Sequence, residues 1–273
     1  MKTLSLLFLL LLSTKAMACS CAEVNPVLEF YSSTYVFEGK IISKVYAKDS
    51  LTYTVTFDIT KHYKKGATPK TLAFKVSSER KYRGYWTSCD WKANLGERWL
   101  VYAYTRNNTL YFNGMCSNSR RIDRREISQR EQRQLTNGNA FRINDYIYEH
   151  ENEFNYCKNV TKINPILAKG KSKNFKTQGI LLYVLVDPKG NLQSVFRSTR
   201  LIRKRDSLFN LLTEVTALKN TPMPEFDYEA LELIKQVKKW DIKSHEDTGI
   251  SVSYLRHIWV YYDAISRRWS YEL

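Results

Sequence analysis

"CSCAEVNPVLEFYSSTYVFEGKII", residues 19–42, starts directly behind a greasy leader and runs into the first clear strand pattern of the chain. The question is why two cysteines, one residue apart, stand at that junction. The leader, MKTLSLLFLLLLSTKAMA (residues 1–18), has Lys2 near its start, an apolar run from Leu4 to Leu12, and Ala16-Met17-Ala18 at its end. A bilayer needs about 20 apolar residues, so the run is too short to span. An A-x-A site after such a run is the pattern of a removed secretory signal peptide. A buried core helix, the other reading, would carry polar positions. Residues 1–18 are therefore read as a signal peptide, and Cys19 as the first residue of an exported chain, periplasmic or secreted. A lipid anchor on Cys19 is the alternative, although Ala16 stands where a lipoprotein signal favours leucine.

The chain has 43 Lys+Arg against 27 Asp+Glu, a net charge of +16; the leader carries two lysines and no acid, so its removal would leave +14. Outside the cytoplasm the anionic partners for such a surface are lipid headgroups, envelope polysaccharide or an acidic protein. No stacking platform for bases accompanies the basic runs, so nucleic acid is not expected. Ser119–Arg125 and Arg203-Lys204-Arg205 carry much of the excess and read as solvated faces or linker.

From Thr34 to Tyr111 the pattern is that of strands. "TYVFEGKIISKVYA", "LTYTVTFDITKHY", "TLAFKVS", "RWLVYAYTR" and "TLYFNGMC" are rich in β-branched and aromatic residues and are broken at Lys48-Asp49-Ser50, Lys65-Gly66-Ala67 and Asn107-Asn108. Short strands at this spacing, without helices between them, predict a small β-barrel. All five cysteines, Cys19, Cys21, Cys89, Cys116 and Cys157, follow the leader. Export makes disulfides the default. A four-cysteine zinc site competes, but such sites use pairs two to four residues apart, and only Cys19 and Cys21 are close. The odd count leaves a free thiol or a bridge to a second copy, with Cys157 the candidate.

Residues 19–42 resemble the start of the tissue inhibitors of metalloproteinases and related netrin-type domains. Those open on Cys-x-Cys and enter an OB-fold barrel through a strand patterned V-F-x-G-K-V; Val36-Phe37-Glu38-Gly39-Lys40-Ile41 fills that strand here. The resemblance covers about residues 19–120 and implies an OB-fold-like barrel stapled by Cys19–Cys89 and Cys21–Cys116. In the family's inhibitors the α-amino group and carbonyl of the first cysteine chelate a protease's catalytic zinc. That role would fall to Cys19, with Ser20 pointing at the protease's specificity pocket and Cys21 completing the tip. The pattern is incomplete: Tyr31 stands at the family's third early cysteine, and nothing matches the inhibitors' second disulfide-rich domain.

Residues 123–162 read as a helical connector, from "DRREISQREQRQL" and from Phe141, Ile147 and Phe154 at helical spacing. Beyond it "ILLYVLVDPKGNLQSVFRST" reads as a hairpin. "DSLFNLLTEVTAL" and "DYEALELIKQVKKW", the latter with Asp227 as its cap, read as helices, and "SVSYLRHIWVYYD" as a final strand. This β-β-α-α-β order resembles the C-terminal domain of TonB energy transducers, on Val186-Asp187-Pro188-Lys189-Gly190-Asn191-Leu192, Asp227-Tyr228-Glu229-Ala230-Leu231 and Lys239-Trp240. The resemblance implies an α+β module over residues 163–265, with 266–273 as a tail, and strand addition to a β-segment of a membrane partner. The expected fold class is thus β plus α+β: a stapled barrel over 19–122, the connector, and the second module. The separate apolar patterns of the two modules predict that each buries its own core.

Nothing marks an enzyme. Nucleophile-elbow, zincin, phosphate-loop and dinucleotide motifs are absent, and His62, His150, His245 and His257 are scattered without ligand spacing. No cofactor and no metal are expected. The expected function is protein binding, with a metalloprotease as partner, or an outer-membrane protein in the TonB-like alternative.

Overall fold

Alternation in the first strands puts Phe37 and Ile41, then Tyr53, Val55 and Phe57, then Trp99, Val101 and Ala103 into one core, as the two-residue period of a strand requires. The structure, a computed structural model, describes residues 21, 23–85, 90–156, 161–171, 173–175, 179–218 and 222–273. These fall into two compact units. The first is built on the described residues up to Glu23 and of Ser33–Glu126; the second is built on those of Val24–Ser32 and Ile127–Leu273.

In the first unit β1 (Tyr35–Tyr46), β2 (Thr52–His62), β3 (Thr71–Ser77), β4 (Arg98–Arg106) and β5 (Thr109–Phe112) lie in the order β3-β2-β1-β4-β5, and β6 (Arg120–Arg121) pairs with β4. The β4–β5 hairpin turns through Asn107 and Asn108, both at positive φ (50° and 58°). Asparagine tolerates that conformation, and it matches the twist of the flanking strands. Register shifts at Glu38/Gly39 and Ile41/Ser43 break the β1–β2 ladder, and bulges of this kind bend a strand and increase its twist. Gly39 sits at the first: a Cβ there would lie 3.0 Å from the Asp58 carbonyl oxygen and from the Phe37 ring. The resulting curl brings the ends of the path together, with Phe74 of β3 and Phe112 of β5 ring to ring at 4.9 Å.

The second unit begins with α1 (Pro26–Ser32). Asn25 caps it by accepting from the Val27 amide at 3.1 Å, and Pro26 fills the first helical position, where a missing N–H costs nothing. α2 (Gln129–Asn137) follows β6 in the chain, opened by Ser128, whose side chain accepts from the Glu131 amide. Gly138, just past α2, receives the Phe30 ring of α1; a Cβ there would meet that ring at 2.7 Å. Val27 and Leu28 join Phe141, Ile143, Tyr148, Phe154, Phe209, Leu211 and Val252 in one buried cluster.

The connector is therefore helical only in part. Residues 141–156 form one 3₁₀ turn (Ile143–Asp145) and the short strands β7 (Ile147–Tyr148) and β8 (Phe154–Tyr156), not the expected helix. Aromatic and β-branched residues fit strand pairing as well as helical spacing, and the strand partners decide: Ile147 pairs with Leu212 and Ser253, Phe154 with His245.

β9 (Gly179–Val186) and β10 (Leu192–Arg197) make the expected hairpin. Its turn is organised by Asp187, which accepts from the amides of Lys189 and Asn191 at 2.8 Å, with Gly190 at φ 74°. The expected helix over 206–218 is absent. β11 (Leu201–Arg205) and β12 (Leu212–Ala217) form a second hairpin there. Asn210 takes a left-handed conformation (φ 61°) that ends any helix, and Thr213, Val215 and Thr216 favour the extended chain. α3 (Glu225–Lys235) is the one helix of this half that matches its expected place, but Pro224 caps it. Asp227 lies inside the first turn instead, buried and paired with Arg197 at 2.8 Å. β13 (Lys243–His245) pairs with β8, and β14 (Ser253–Asp263) forms the last long strand. Residues 268–272, expected as tail, form β15 (Arg268–Glu272) on β14.

The sheet runs β10-β9-β14-β7-β12-β11. Ile180, Leu182, Val184 and Val186 of β9 face α3, while Tyr183 and Leu185 pack with Phe196, Leu212, Val215 and Leu255 on the other face. Covering both faces explains why "ILLYVLV" is continuously apolar. The fold is thus a β-rich α+β fold of curled, half-barrel sheets.

Candidate functional site

Cys21 and Cys116 form a disulfide, Cα to Cα 5.2 Å, across 95 residues. It ties the segment before α1 to the turn after β5. Asn113 shapes that turn, its side-chain oxygen accepting from the amides of Met115 (2.9 Å) and Cys116 (2.8 Å). Of the residues expected at the N-terminal tip, Cys21 is placed and bridged. Cys19, Ser20 and Cys89 lie outside the described residues, as does Cys157.

A second feature, in the second unit, was not legible in the sequence. A cleft of about 380 Å³ is lined by His150, Phe154, Tyr156, Lys243, Arg256 and His257, together with Glu149 and Glu151. Strand pairing of β8 with β13 sets Tyr156 opposite Lys243. Lys243 is 3% exposed; its Nζ donates to the Glu149 carbonyl at 2.8 Å and lies 5.7 Å from the centres of the Phe154 and Tyr156 rings. Burial pushes its pKa down, against the pull of the nearby glutamates. The Arg256 guanidinium stands over the Tyr156 ring at 4.5 Å. Its nearest carboxylate, Asp241, is 3.8 Å away, beyond hydrogen-bonding reach.

Both acids are engaged. Glu149 accepts from Arg203 (2.9 Å) and Arg205 (2.8 Å), and Glu151 accepts from the Glu149 amide at 2.6 Å. Two basic runs read as solvated faces thus do structural work: Arg203 and Arg205 here, and Arg121 on Glu97 and Asp123 at 2.6 and 2.7 Å. The histidines, scattered in sequence, are partly gathered: His150 and His257 stand 5.9 Å apart at the cleft. Among the described residues no group of three or more His, Cys, Asp or Glu side chains could hold a metal. Lys243 is one of 43 cations in the chain, and its partners come from segments about a hundred residues apart, so no local spacing marks it.

His245 is different. Buried among Tyr31 and Phe154, its ring nitrogens lie 3.2 Å from Ser32 Oγ and Thr248 Oγ1. Burial lowers its pKa, with Asp247 and Glu246 opposing. The unfolded chain then takes up protons at a higher pH than the folded one, so stability is present above the ordinary value near ~6.5 and falls as pH drops below it. Glu153, raised by burial, has the opposite sign: its cost is relieved as pH falls through its raised value. The comparison must therefore be between variants. His245→Gln is expected to flatten the fall in stability between about pH 7 and pH 5.5, measured by urea unfolding. A variant curve parallel to the parent's would refute the assignment.

No protein-family model matches the chain, and no curated protein matches it.

Proposed function

We propose that this is an exported, non-enzymatic protein-binding protein whose first unit is a netrin-type OB barrel. It would present Cys19-Ser20-Cys21 to a metalloprotease, with the Cys19 amine and carbonyl directed at the protease's zinc. The observation that carries the reading is the Cys21–Cys116 bridge, one of the two pairs that the resemblance implies. The strand order β3-β2-β1-β4-β5, with β3 and β5 meeting through Phe74 and Phe112, is consistent with a five-stranded barrel path. Among the described residues no helix is long and apolar enough to cross a membrane, which is compatible with export, as is the disulfide. A tip stapled close to its first residue loses little entropy on docking, and that is where such a binder gains affinity.

The test is an alanine inserted before Cys19 in the mature chain. Inhibition of zinc metalloproteases is expected in the parent and is expected to be abolished in the variant, with near-UV circular dichroism unchanged. Intact mass should show an unacylated Cys19, and non-reducing peptide mapping should recover Cys19–Cys89. Unchanged potency in the extended variant, or an acylated Cys19, would sink the reading.

A second reading, an envelope accessory that pairs with a β-segment of an outer-membrane protein, is favoured by one observation: β9, β10 and β14 adjoin in one sheet with α3 packed on the hairpin. The β14 edge away from β9 already carries β7 and β15. The sheet ends at β10 and β11, and on this reading the added strand joins at β10, beside the hairpin. A photocrosslinker at Gln193 is expected to capture an outer-membrane β-segment; capture of none in envelope preparations counts against this reading.

A further inference from the structure

The cleft in the second unit has the dimensions of a small-molecule site, which typically spans a few hundred Å³ with apolar walls and a few fixed polar groups. Its walls are rings: Phe154, Tyr156, His150 and His257. Its polar groups are two glutamates, two asparagines and two cations, Lys243 and Arg256, that have donors to spare. An ammonium carries three donors, and Lys243 spends one of them on the Glu149 carbonyl. Arg256 carries five, and among the described residues its nearest carboxylate stays at 3.8 Å.

Two acids share the lining, and each has another partner. Glu149 is held by two arginines and Glu151 is folded onto a backbone amide. Within the lining two cations, Lys243 and Arg256, face two carboxylates, Glu149 and Glu151, and both acids are already engaged. Burying a charged ammonium is costly, and burial pulls Lys243 down from its ordinary pKa although Glu151, Glu149 and Glu153 pull the other way. An anion in the cleft would relieve that cost.

The backbone supplies a further element. On the β14 edge away from β9, β7 pairs with Ser253 and Tyr254, and β15 with Trp259 through Asp263. Leu255–Ile258 between them pair on that edge with no strand among the described residues, and Arg256 and His257 of this stretch line the cleft. Alternate residues of such an edge turn an N–H and a C=O outward. They could bind an amide or a second carboxylate oxygen.

We infer that this cleft binds a carboxylate carried on a planar, aromatic body, the acid paired with Lys243 and Arg256 and the ring stacked among Tyr156, Phe154 and the two histidines. That chemistry has two sources, a free small aromatic acid or the C-terminal aromatic residue of a peptide. The site lies in the second unit and does not depend on Cys19.

The test is ligand-observed NMR titration of the full chain with phenylacetate, its neutral isostere phenylacetamide, and the peptide acetyl-Gly-Gly-Phe. Phenylacetate is expected to saturate, and phenylacetamide to bind about tenfold more weakly or less. Arg256→Gln, at a partly exposed position, should lose about tenfold in phenylacetate affinity, and Lys243→Met at least as much. If Lys243→Met does not fold, Arg256→Gln decides alone. Tighter binding of the peptide than of phenylacetate assigns the carboxylate to a chain terminus; equal binding assigns it to a free acid. Equal affinity for acid and amide, unchanged binding in Arg256→Gln, or no saturation by about 10 mM would overturn the proposal.

Discussion

Replacing Leu28 by alanine is expected to destabilise the second unit by about 2–5 kcal/mol, although Leu28 lies before the first strand of the other unit. Its side chain is fully buried, against Phe141, Ile143, Tyr148, Phe154, Phe209, Leu211 and Val252. Truncation removes the transfer free energy of the methyl groups and leaves a cavity that rigid aromatic neighbours fill poorly. The same cluster makes a stronger statement about fragments. A piece spanning 160–273, which the apolar pattern would pass as a self-sufficient module, lacks α1 and residues 141–156. It would uncover Phe209, Leu211 and Val252 and remove the strand that pairs with β13. Such a fragment should show exposed apolar surface and little hydrogen-exchange protection around β13. Denaturant unfolding of Leu28→Ala and amide exchange on the fragment check the two halves. A fragment with native protection, or a Leu28→Ala cost under about 1 kcal/mol, would show that the second unit does not rest on α1.

Opening the Cys21–Cys116 bridge is expected to cost the first unit on the order of 3–5 kcal/mol, by Cys21→Ser or by reduction. The chain-entropy model scales with the enclosed loop, and 95 residues separate the two cysteines. In a unit of this size that corresponds to a melting-temperature drop on the order of 10–20 °C. Differential scanning calorimetry of the oxidised chain, the reduced chain and the variant should show the loss in the transition of the first unit, with the second unit's transition in place. Coincident melting of oxidised and reduced protein would mean that the bridge does not staple the folded state.

Five of the six strands described in the first unit were legible because they are runs of β-branched and aromatic residues, most of them alternating, between turn residues with a mechanism of their own, such as Asn107-Asn108. The β9–β10 hairpin was legible for the same reason, in Asp187 and Gly190. Both are local: the physics that sets them acts within a few residues. Half of the disulfide expectation, Cys21–Cys116, came from resemblance and is present. Where the reading went wrong, the local signal was ambiguous. Leu208, Leu211, Leu212, Val215 and Leu218 fit a helix by spacing, yet Leu212 and Val215 are strand residues and Leu211 sits in the turn. Phe141, Ile147 and Phe154 fit a helical face, yet Phe141 and Phe154 are buried, and Ile147 half-buried, by partners far away in the chain.

The sequence by itself determined which segments alternate as strands, where the tight turns fall, and that two cysteines frame the first unit. It could not determine that α1 is buried with residues a hundred positions later, because burial depends on which surfaces meet and not on the order of the chain. Nor could it single out Lys243, His150, Arg256 and His257. A lysine becomes a buried cation only when strand pairing sets Tyr156 opposite it, and the cleft gathers residues of β8, β13 and β14 that lie far apart in the chain. Those are consequences of long-range pairing, and only the tertiary structure decided them.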